Sequence, residues 1–341
     1  MLVLGIETSC DETSVAVLQS PRKILSNVVY SSLKEHRPFG GVVPEIASRA
    51  HVETILPCLR AALKKAHIGL SDVDLIAATQ GPGLMGSLLV GLSAAKALAL
   101  ACDKPWIGVD HVVAHAFSGF LEDPKLKFPF TSLVVSGGHT LILRMESPGR
   151  YQVLGRTLDD AAGEAFDKVA KILGFGYPGG PEVDRLAKGQ NTTRYFFSRP
   201  ILSKDSLDFS FSGIKTAVYY KVLELTKQRR LTFRAKTEIA AGFQEAVCDV
   251  LVQKSLAAAR ANQSQTLVVG GGVSANSRLR TKLAAAARPL GIRVIFPSMG
   301  FCQDNAAMIA VLGAAQVIEG RESGLELSGY ARFEEGPSFG S

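Results

Sequence analysis

The sequence predicts an α/β protein made of two duplicated lobes around a central cleft, and three observations carry that expectation. A strand, polar or glycine turn, strand pattern occurs twice, as LVLGI-ETSCDET-SVAVL over 2–18 and SLVV-SGGHT-LILRM over 132–145. A strand, Gly-rich loop, helix pattern follows it both times, over 74–100 and 266–287. Strands and helices alternate along the rest of the chain, which calls for sheets covered by helices. A spacing this long is not a solenoid period. At 341 residues the chain also exceeds the usual domain of about 100–200 residues.

Taken in order, the paired Val/Leu/Ile-rich runs of 2–18 are short enough to be strands rather than helices. Pro44 suits a first helical turn, and Ile46, Ala50, Ile55 and Leu59 offer an apolar face for a helix to about Lys65. Gly81, Gly83 and Gly86 precede the helix of the first glycine pattern, and Gly270, Gly271 and Gly272 that of the second. Asp159 and Asp160 precede a helix from about Ala162 to Leu173. Long amphipathic helices are predicted near 211–225 and 236–261, and Asp304 opens a last one. The expected division is an N-terminal lobe at 1–125 completed by the helix near 304–320, a C-terminal lobe at 126–303, and an irregular tail at 321–341.

Composition narrows the class. Hydrophobic residues at 47% and charged residues at 20% exclude a disordered chain. The formal net charge of +7 is compatible with a polyanionic partner. Five cysteines, odd in number and without a Cys-x-x-Cys pair, argue against a disulfide framework and fit a reducing cytoplasm. The start lacks the basic segment of a signal peptide, and the longest apolar stretch, 88–101, carries Lys96 and falls short of a span of about 20 residues. A cytoplasmic protein without a membrane partner is expected.

Four loops, the polar 8–13 and the glycine-containing 81–86, 136–140 and 270–277, could present backbone N–H groups to an anion, or simply turn tightly. A P-loop is absent. In DHVVAH, His111 and His115 stand four apart, so a helix would point both the same way. They are either metal ligands or a pair of buried, hydrogen-bonded histidines. No Glu follows His111, which removes a metallopeptidase base. Asp304 is a candidate third ligand or a helix N-cap. Asp167 and Asp184 flank the Gly- and Pro-rich stretch 174–181, where carboxylates could hold ribose hydroxyls or merely be solvated. The basic run KQRRLTFRAK, 227–236, is a solvated helix end or an RNA contact, with no aromatic stripe beside it.

Together these segments resemble the TsaD (YgjD/Gcp) family, whose members make threonylcarbamoyladenosine in tRNA. The resemblance rests on GIETSCDET, GGVVPEIASRAH, QGPGLMGSLLVG, DHVVAH, LVVSGGHT, AGEAFDKVAK with YPGGPEVD, FSFSGIKTA, GGVSAN and CQDNAAMIA, in the family's order across nearly the whole chain. It implies the actin, Hsp70 and sugar-kinase (ASKHA, RNase H-like) fold. It implies an acyltransferase that moves threonylcarbamoyl from threonylcarbamoyl-AMP to the exocyclic amine of adenosine at position 37, in tRNAs reading codons that begin with A. The family's metal ligands fall on His111, His115 and Asp304, with iron expected and zinc the alternative. Its substrate loop falls on Val134, Val135, Ser136, Gly137 and Gly138, and its adenosine contacts on Asp167, Gly180, Asp184 and Asn276. Asp11, Glu12 and His139 are candidates for orienting or catalytic work. The implied cofactors are one divalent metal and a nucleotide, either the adenylate or ATP/ADP in the isolated protein. The implied partners are tRNA, TsaB-type and TsaE-type proteins, and a TsaC-type synthase that supplies the donor. The helix after Pro44 resembles the TsaB-binding surface. The rivals are a carbamoyltransferase with another acceptor and an ATP-binding, chaperone-like protein of the same fold, the latter leaving the two histidines unexplained.

Overall fold

The computed structural model describes residues 1–200 and 206–333. It divides into two compact units. Unit 1 comprises Met1–Leu126, Ser147–Arg150 and the described residues from Pro297 on, and unit 2 the described residues of Lys127–Glu146 and Tyr151–Phe296. Residues 147–150 and 297–303 thus go with unit 1.

In unit 1 the chain runs through β1 (Leu2–Glu7), β2 (Glu12–Gln19), β3 (Lys23–Ser31), a short α1 (Leu33–His36), α2 (Pro44–Ala66), β4 (Leu75–Gly81), α3 (Met85–Cys102), β5 (Trp106–Asp110), α4 (His111–Phe117) and α5 (Gly119–Glu122). Unit 2 holds β6 (Phe130–Val135), β7 (Thr140–Ser147), β8 (Arg150–Arg156), α6 (Ala162–Leu173), α7 (Gly179–Ala187), α8 (Ser212–Lys227), α9 (Phe233–Ala261), β9 (Thr266–Gly270), α10 (Ser277–Ala287) and β10 (Arg293–Ile295). The chain then returns to unit 1 as α11 (Ala306–Ile318).

The expected duplication is written in strand order. Sheet 1 reads β3-β2-β1-β4-β5, and sheet 2, read from its other edge, β8-β7-β6-β9-β10. Each has an antiparallel hairpin (β1 with β2, β6 with β7) whose first strand also pairs in parallel with the strand that leads into a helix. Strands β3 and β8 escape a hydropathy reading because each buries few of its side chains.

Sheet 1 is packed on one face by α2 and α3 and on the other by α11, which approaches so closely that a β-carbon on Gly5 would collide with the Ala306 carbonyl. Sheet 2 packs on α9, most of whose residues are buried, with Phe243 edge-on to Phe166 of α6. The buried face of α2 is Ala47, His51, Ile55, Cys58, Leu59 and Ala62. Ile55 and Leu59 were expected there, whereas Ile46 and Ala50 are only half-buried. The reason is that His51 turns inward to bond Thr13 Oγ1 (2.7 Å) and the Cys10 carbonyl (2.9 Å). Helix α3 is longer than the stretch 88–101, and by length and composition it could cross a membrane. In the structure its Leu88, Leu92, Ala95 and Ala99 are buried. All five cysteines are free.

No helix or strand occurs in 321–333, yet the segment is tied to unit 1. Gln80 Nε2 donates to the Ser328 carbonyl (2.9 Å), Lys96 Nζ to the Leu327 carbonyl (2.6 Å), and Tyr330 Oη to Asp110 Oδ2 (2.6 Å). The rest of the tail read at 321–341 lies outside the described residues.

Candidate functional site

Two groups of side chains carry chemistry, one in each unit. In unit 1, β5 ends in Asp110, whose carboxylate accepts the Val113 N–H (2.8 Å) and so caps α4. That cap starts the helix one residue later, at His111, and the i, i+4 spacing turns His111 and His115 together, with ring centroids 4.7 Å apart. Asp304 joins them: its Oδ1 is 3.0 Å from His115 Nε2 and 3.5 Å from His111 Nε2. It does not cap α11. Asn305 does, accepting the Met308 N–H at 3.2 Å, so the cap reading of Asp304 is corrected and its carboxylate belongs to the histidines.

Glu7, the first residue of the polar turn ETSCDET in the sequence, is the fourth member. It is fully buried, and its Oε2 accepts from His111 Nδ1 (3.0 Å) and Thr79 Oγ1 (2.5 Å). Its Oε1 accepts the Ser9 N–H (2.5 Å), and Ser9 Oγ lies 3.2 Å from the same ring nitrogen. Burial pushes the Glu7 carboxyl up, but the charge and hydrogen bond of His111 outweigh it and leave its pKa below normal. Burial likewise opposes a charged His111, yet Asp304 and Glu7 overcome it and hold that pKa at about 9. His115 is lowered by burial and by its cationic neighbour. Two imidazoles facing one Asp304 cannot both stay charged, and the one seated on Glu7 keeps its proton.

The group fits a divalent metal. Two imidazole nitrogens and one carboxylate oxygen lie within 4.8 Å of one another, a set that suits ferrous iron or zinc with positions left over. Glu7 on Nδ1 fixes the His111 tautomer that leaves Nε2 to a ligand, as outer carboxylates do around metal-bound histidines. His115 Nδ1 is buried with no partner among the described residues. Asp11 ends the loop after β1 and Glu12 opens β2. Burial, then Asp11, then Asp304 push the Glu12 carboxyl well up, and its Oε1 accepts from Ser31 Oγ (3.1 Å).

In unit 2 the structure brings the predicted substrate residues into one cluster of loops. Val134 and Val135 end β6, buried, and Ser136 closes the turn, its N–H donating to the His139 carbonyl (2.8 Å) and its Oγ accepting the His139 N–H (3.1 Å). Gly137 and Gly138 are exposed, and a β-carbon on either would meet nothing within 4 Å. Gly180 and Gly272 are half-buried, and a β-carbon on either would likewise meet nothing within 4 Å. Gly271 takes a left-handed φ of +90° to pass under the Val135 carbonyl, which ties the β9 loop to the Ser136 turn. Asp167 on α6 accepts the Gly179 N–H (2.7 Å), and Asp184 on α7 accepts the Ser277 N–H (3.1 Å) and Oγ (2.8 Å). Asn276 caps α10 through Leu279 N–H (2.9 Å) and donates to Gln244 Oε1 (2.8 Å). These carboxylates and amides hold the loops together. The start of α6 lies against the Ser136 turn, through the Gly163 N–H to the Ser136 carbonyl (3.1 Å), and a helix N-terminus favours an anion.

The comparisons decide the family. The family model described as TsaD, tRNA N6-adenosine threonylcarbamoyltransferase, matches residues 23–311. The chain is 51% identical to the tRNA N6-adenosine threonylcarbamoyltransferase of Thermosipho melanesiensis over 92% of its own length and 94% of the relative's. It is 51% identical to that of Trichlorobacter lovleyi, over 97% and 96%.

The chain belongs to the TsaD family.

Among solved structures, full-length HypF in its phosphate- and nucleotide-bound form covers 94% of this chain with 47% of its own, at 15% identity and a TM-score of 0.64. That likeness shows the fold alone: mixed α/β with two five-stranded sheets. For this TsaD-family chain, the site residues that sequence reasoning missed are Glu7, Ser9 and the Tyr330–Asp110 bond. Only Glu7 left a trace, as a carboxylate ending a strand that is otherwise wholly apolar.

Proposed function

We propose that this chain transfers threonylcarbamoyl from threonylcarbamoyl-AMP to N6 of adenosine at position 37 of tRNAs reading codons that begin with A. The observation that carries this is the family relationship, at about half identity over nearly the full length. The open glycine backbone of unit 2 supports an adenylate donor. Gly137, Gly138, Gly180 and Gly272 leave room for a ligand to reach backbone N–H groups, and Asp167, Asp184 and Asn276 border it as adenosine contacts.

In the reaction, the adenosine amine attacks the carbamoyl carbonyl carbon and a C–N bond forms. The bond from that carbon to the phosphate oxygen breaks, AMP leaves as an anion, and the amine gives up a proton. The unit 2 loops hold the adenylate and stabilise the charge that returns to phosphate. Positioning supplies much of the rate, because the amine is a weak nucleophile. No protein nucleophile takes part, and Asp11, Glu12 and His139 orient groups or accept the proton. His111, His115 and Asp304 hold one divalent ion, iron before zinc, which when bound supplies Lewis-acid charge for substrate oxygens. Glu7 keeps His111 in the binding tautomer.

TsaB-type and TsaE-type proteins and a TsaC-type synthase complete the reading, in the cytoplasm. Exposed Val52 and Leu56 on α2, with Met85 and Leu89 on α3, support an apolar docking face for the TsaB type. The test is reconstitution with unmodified tRNA, threonine, bicarbonate, ATP and the partner proteins, read by nucleoside mass spectrometry. Modified adenosine that forms without this chain overturns the assignment, and so does a trapped covalent acyl-enzyme for the mechanism. A His111→Ala/His115→Ala variant is expected to lose both metal and transfer.

A further inference from the structure

The elbow between α8 and α9 takes no part in the groups above. Residues 227–236 place five basic side chains on it: Lys227, Arg229, Arg230, Arg234 and Lys236. Among the described residues Lys227, Arg229 and Lys236 have no ion-pair partner, and the Arg230 guanidinium donates to Gln228 Oε1 (3.4 Å) near Glu224. Arg234 shares the buried Glu238 with Arg194, at 3.0 Å each, so that trio keeps a positive charge. The surface is ordered. Thr232 caps α9 through the Ala235 N–H (3.1 Å), and the Arg230 N–H closes the end of α8 on the Leu225 carbonyl (2.8 Å).

The run has no aromatic stripe, but two exposed rings lie on its helices. Phe233 is 66% exposed at the first turn of α9, and Tyr220 is 63% exposed on α8. Tyr220 lies seven residues before Lys227, on the same helical face. An apolar ring left in water amid arginines is the combination that stacks on bases while the cations meet phosphates.

The elbow also leads to the substrate loops of its own unit. From Phe233 to Gln244, the partner of Asn276, α9 rises about 16 Å at about 1.5 Å per residue. That is about five nucleotides of a stacked strand at about 3.4 Å each. Lys236 Nζ lies 3.4 Å from where a Gly174 β-carbon would sit, at the start of the loop that leads into α7 and its Gly180.

We propose that the α8–α9 elbow is a docking surface for the sugar-phosphate backbone of the substrate tRNA, with Phe233 stacking on an unpaired base. This rests on the reaction proposed above and adds where the polyanion is gripped.

The test uses the full chain in the reconstituted reaction, with kcat and the KM for tRNA measured at several salt concentrations. Lys227→Glu/Arg229→Glu/Arg230→Glu is expected to raise KM about ten-fold or more, keep kcat within about two-fold, and flatten the salt dependence by about two to three contacts. Phe233→Leu should raise KM several-fold with the salt slope unchanged, and Arg229→Lys/Arg230→Lys should stay near wild type. Arg22→Glu/Lys23→Glu, on the exposed edge of unit 1, is the control and should change nothing. If the triple variant makes modified adenosine with wild-type KM and salt slope, the elbow proposal is wrong and the reaction stands. A variant that loses kcat through a protein partner, with tRNA KM unchanged, overturns it equally. If the wild-type assembly makes no modified adenosine, the reaction reading fails first and the elbow falls with it.

Discussion

The first loop of sheet 1 and the first loop of sheet 2 hold the same place in the same strand order, yet one is filled by protein and the other is bare. After β1, Thr8 and Ser9 are buried: Thr8 Oγ1 donates to the Ser87 carbonyl (2.9 Å), the Leu84 N–H reaches the Ser9 carbonyl (2.8 Å), and Gly83 is pressed against Ser9. After β6, Gly137 and Gly138 face open space. Duplication therefore preserved the scaffold and divided the labour. One loop became a brace for a fixed set of donors around His111, and the other kept its backbone available to something from outside.

The comparison can be broken at either end. Gly83→Ala should be the costliest change, because its β-carbon would stand 2.5 Å from a backbone oxygen that cannot move away. A loss of about 2–3 kcal/mol in chemical denaturation is expected, and a loss under half of that would mean the braced loop is looser than described. Next comes Glu7→Gln. It keeps the shape but removes the charge from His111 Nδ1, and metal affinity by competition with a chelator should fall about 10–100-fold. An unchanged affinity would make Glu7 a core residue only.

The third test sets unit 2's partly exposed charges against the buried ones of unit 1. Hydrogen bonds from Arg278 and Lys282 hold Glu245 at about 2, below its ordinary 4.5. Because the unfolded chain binds that proton more readily, the stabilisation is full above about pH 4.5 and is lost as pH falls toward 2. Screening reduces it to about 1–2 kcal/mol. Glu245→Gln should remove this part of the acid-induced loss, and equal curves for both proteins would refute it. The smallest effect belongs to Gly137→Ala, which should change stability by no more than about 0.5 kcal/mol while weakening binding of the proposed adenylate. A large drop in melting temperature would show that the second loop is braced after all.

Much of this was legible beforehand, for a physical reason. Burial imposes periodicity, so the paired hairpins, the two glycine patterns and the helices read at 162–173 and 236–261 announce themselves by apolar spacing, the second starting three residues earlier in the structure. His111 and His115 were legible because a four-residue step on a helix is geometry already. What stayed hidden depends on partners distant in sequence. Nothing local says that Asn305 rather than Asp304 caps α11, since both are good caps. Glu7 pairs with a histidine 104 residues away. The inward turn of His51 shifted the expected face of α2, because a polar side chain can be buried when a hydroxyl and a carbonyl await it.

The discontinuity of unit 1 has a consequence in time. Residues 1–126 leave the ribosome with a sheet still lacking α11 on one face, and with His111 and His115 lacking Asp304. The whole of unit 2 is made before the missing helix arrives. At about 5–20 residues per second, these first residues wait about ten seconds or more with that apolar face unfilled. A chain cut short after residue 115 and before residue 304 holds the two histidines without Asp304, so such an interrupted translation product lacks the carboxylate of the proposed metal set.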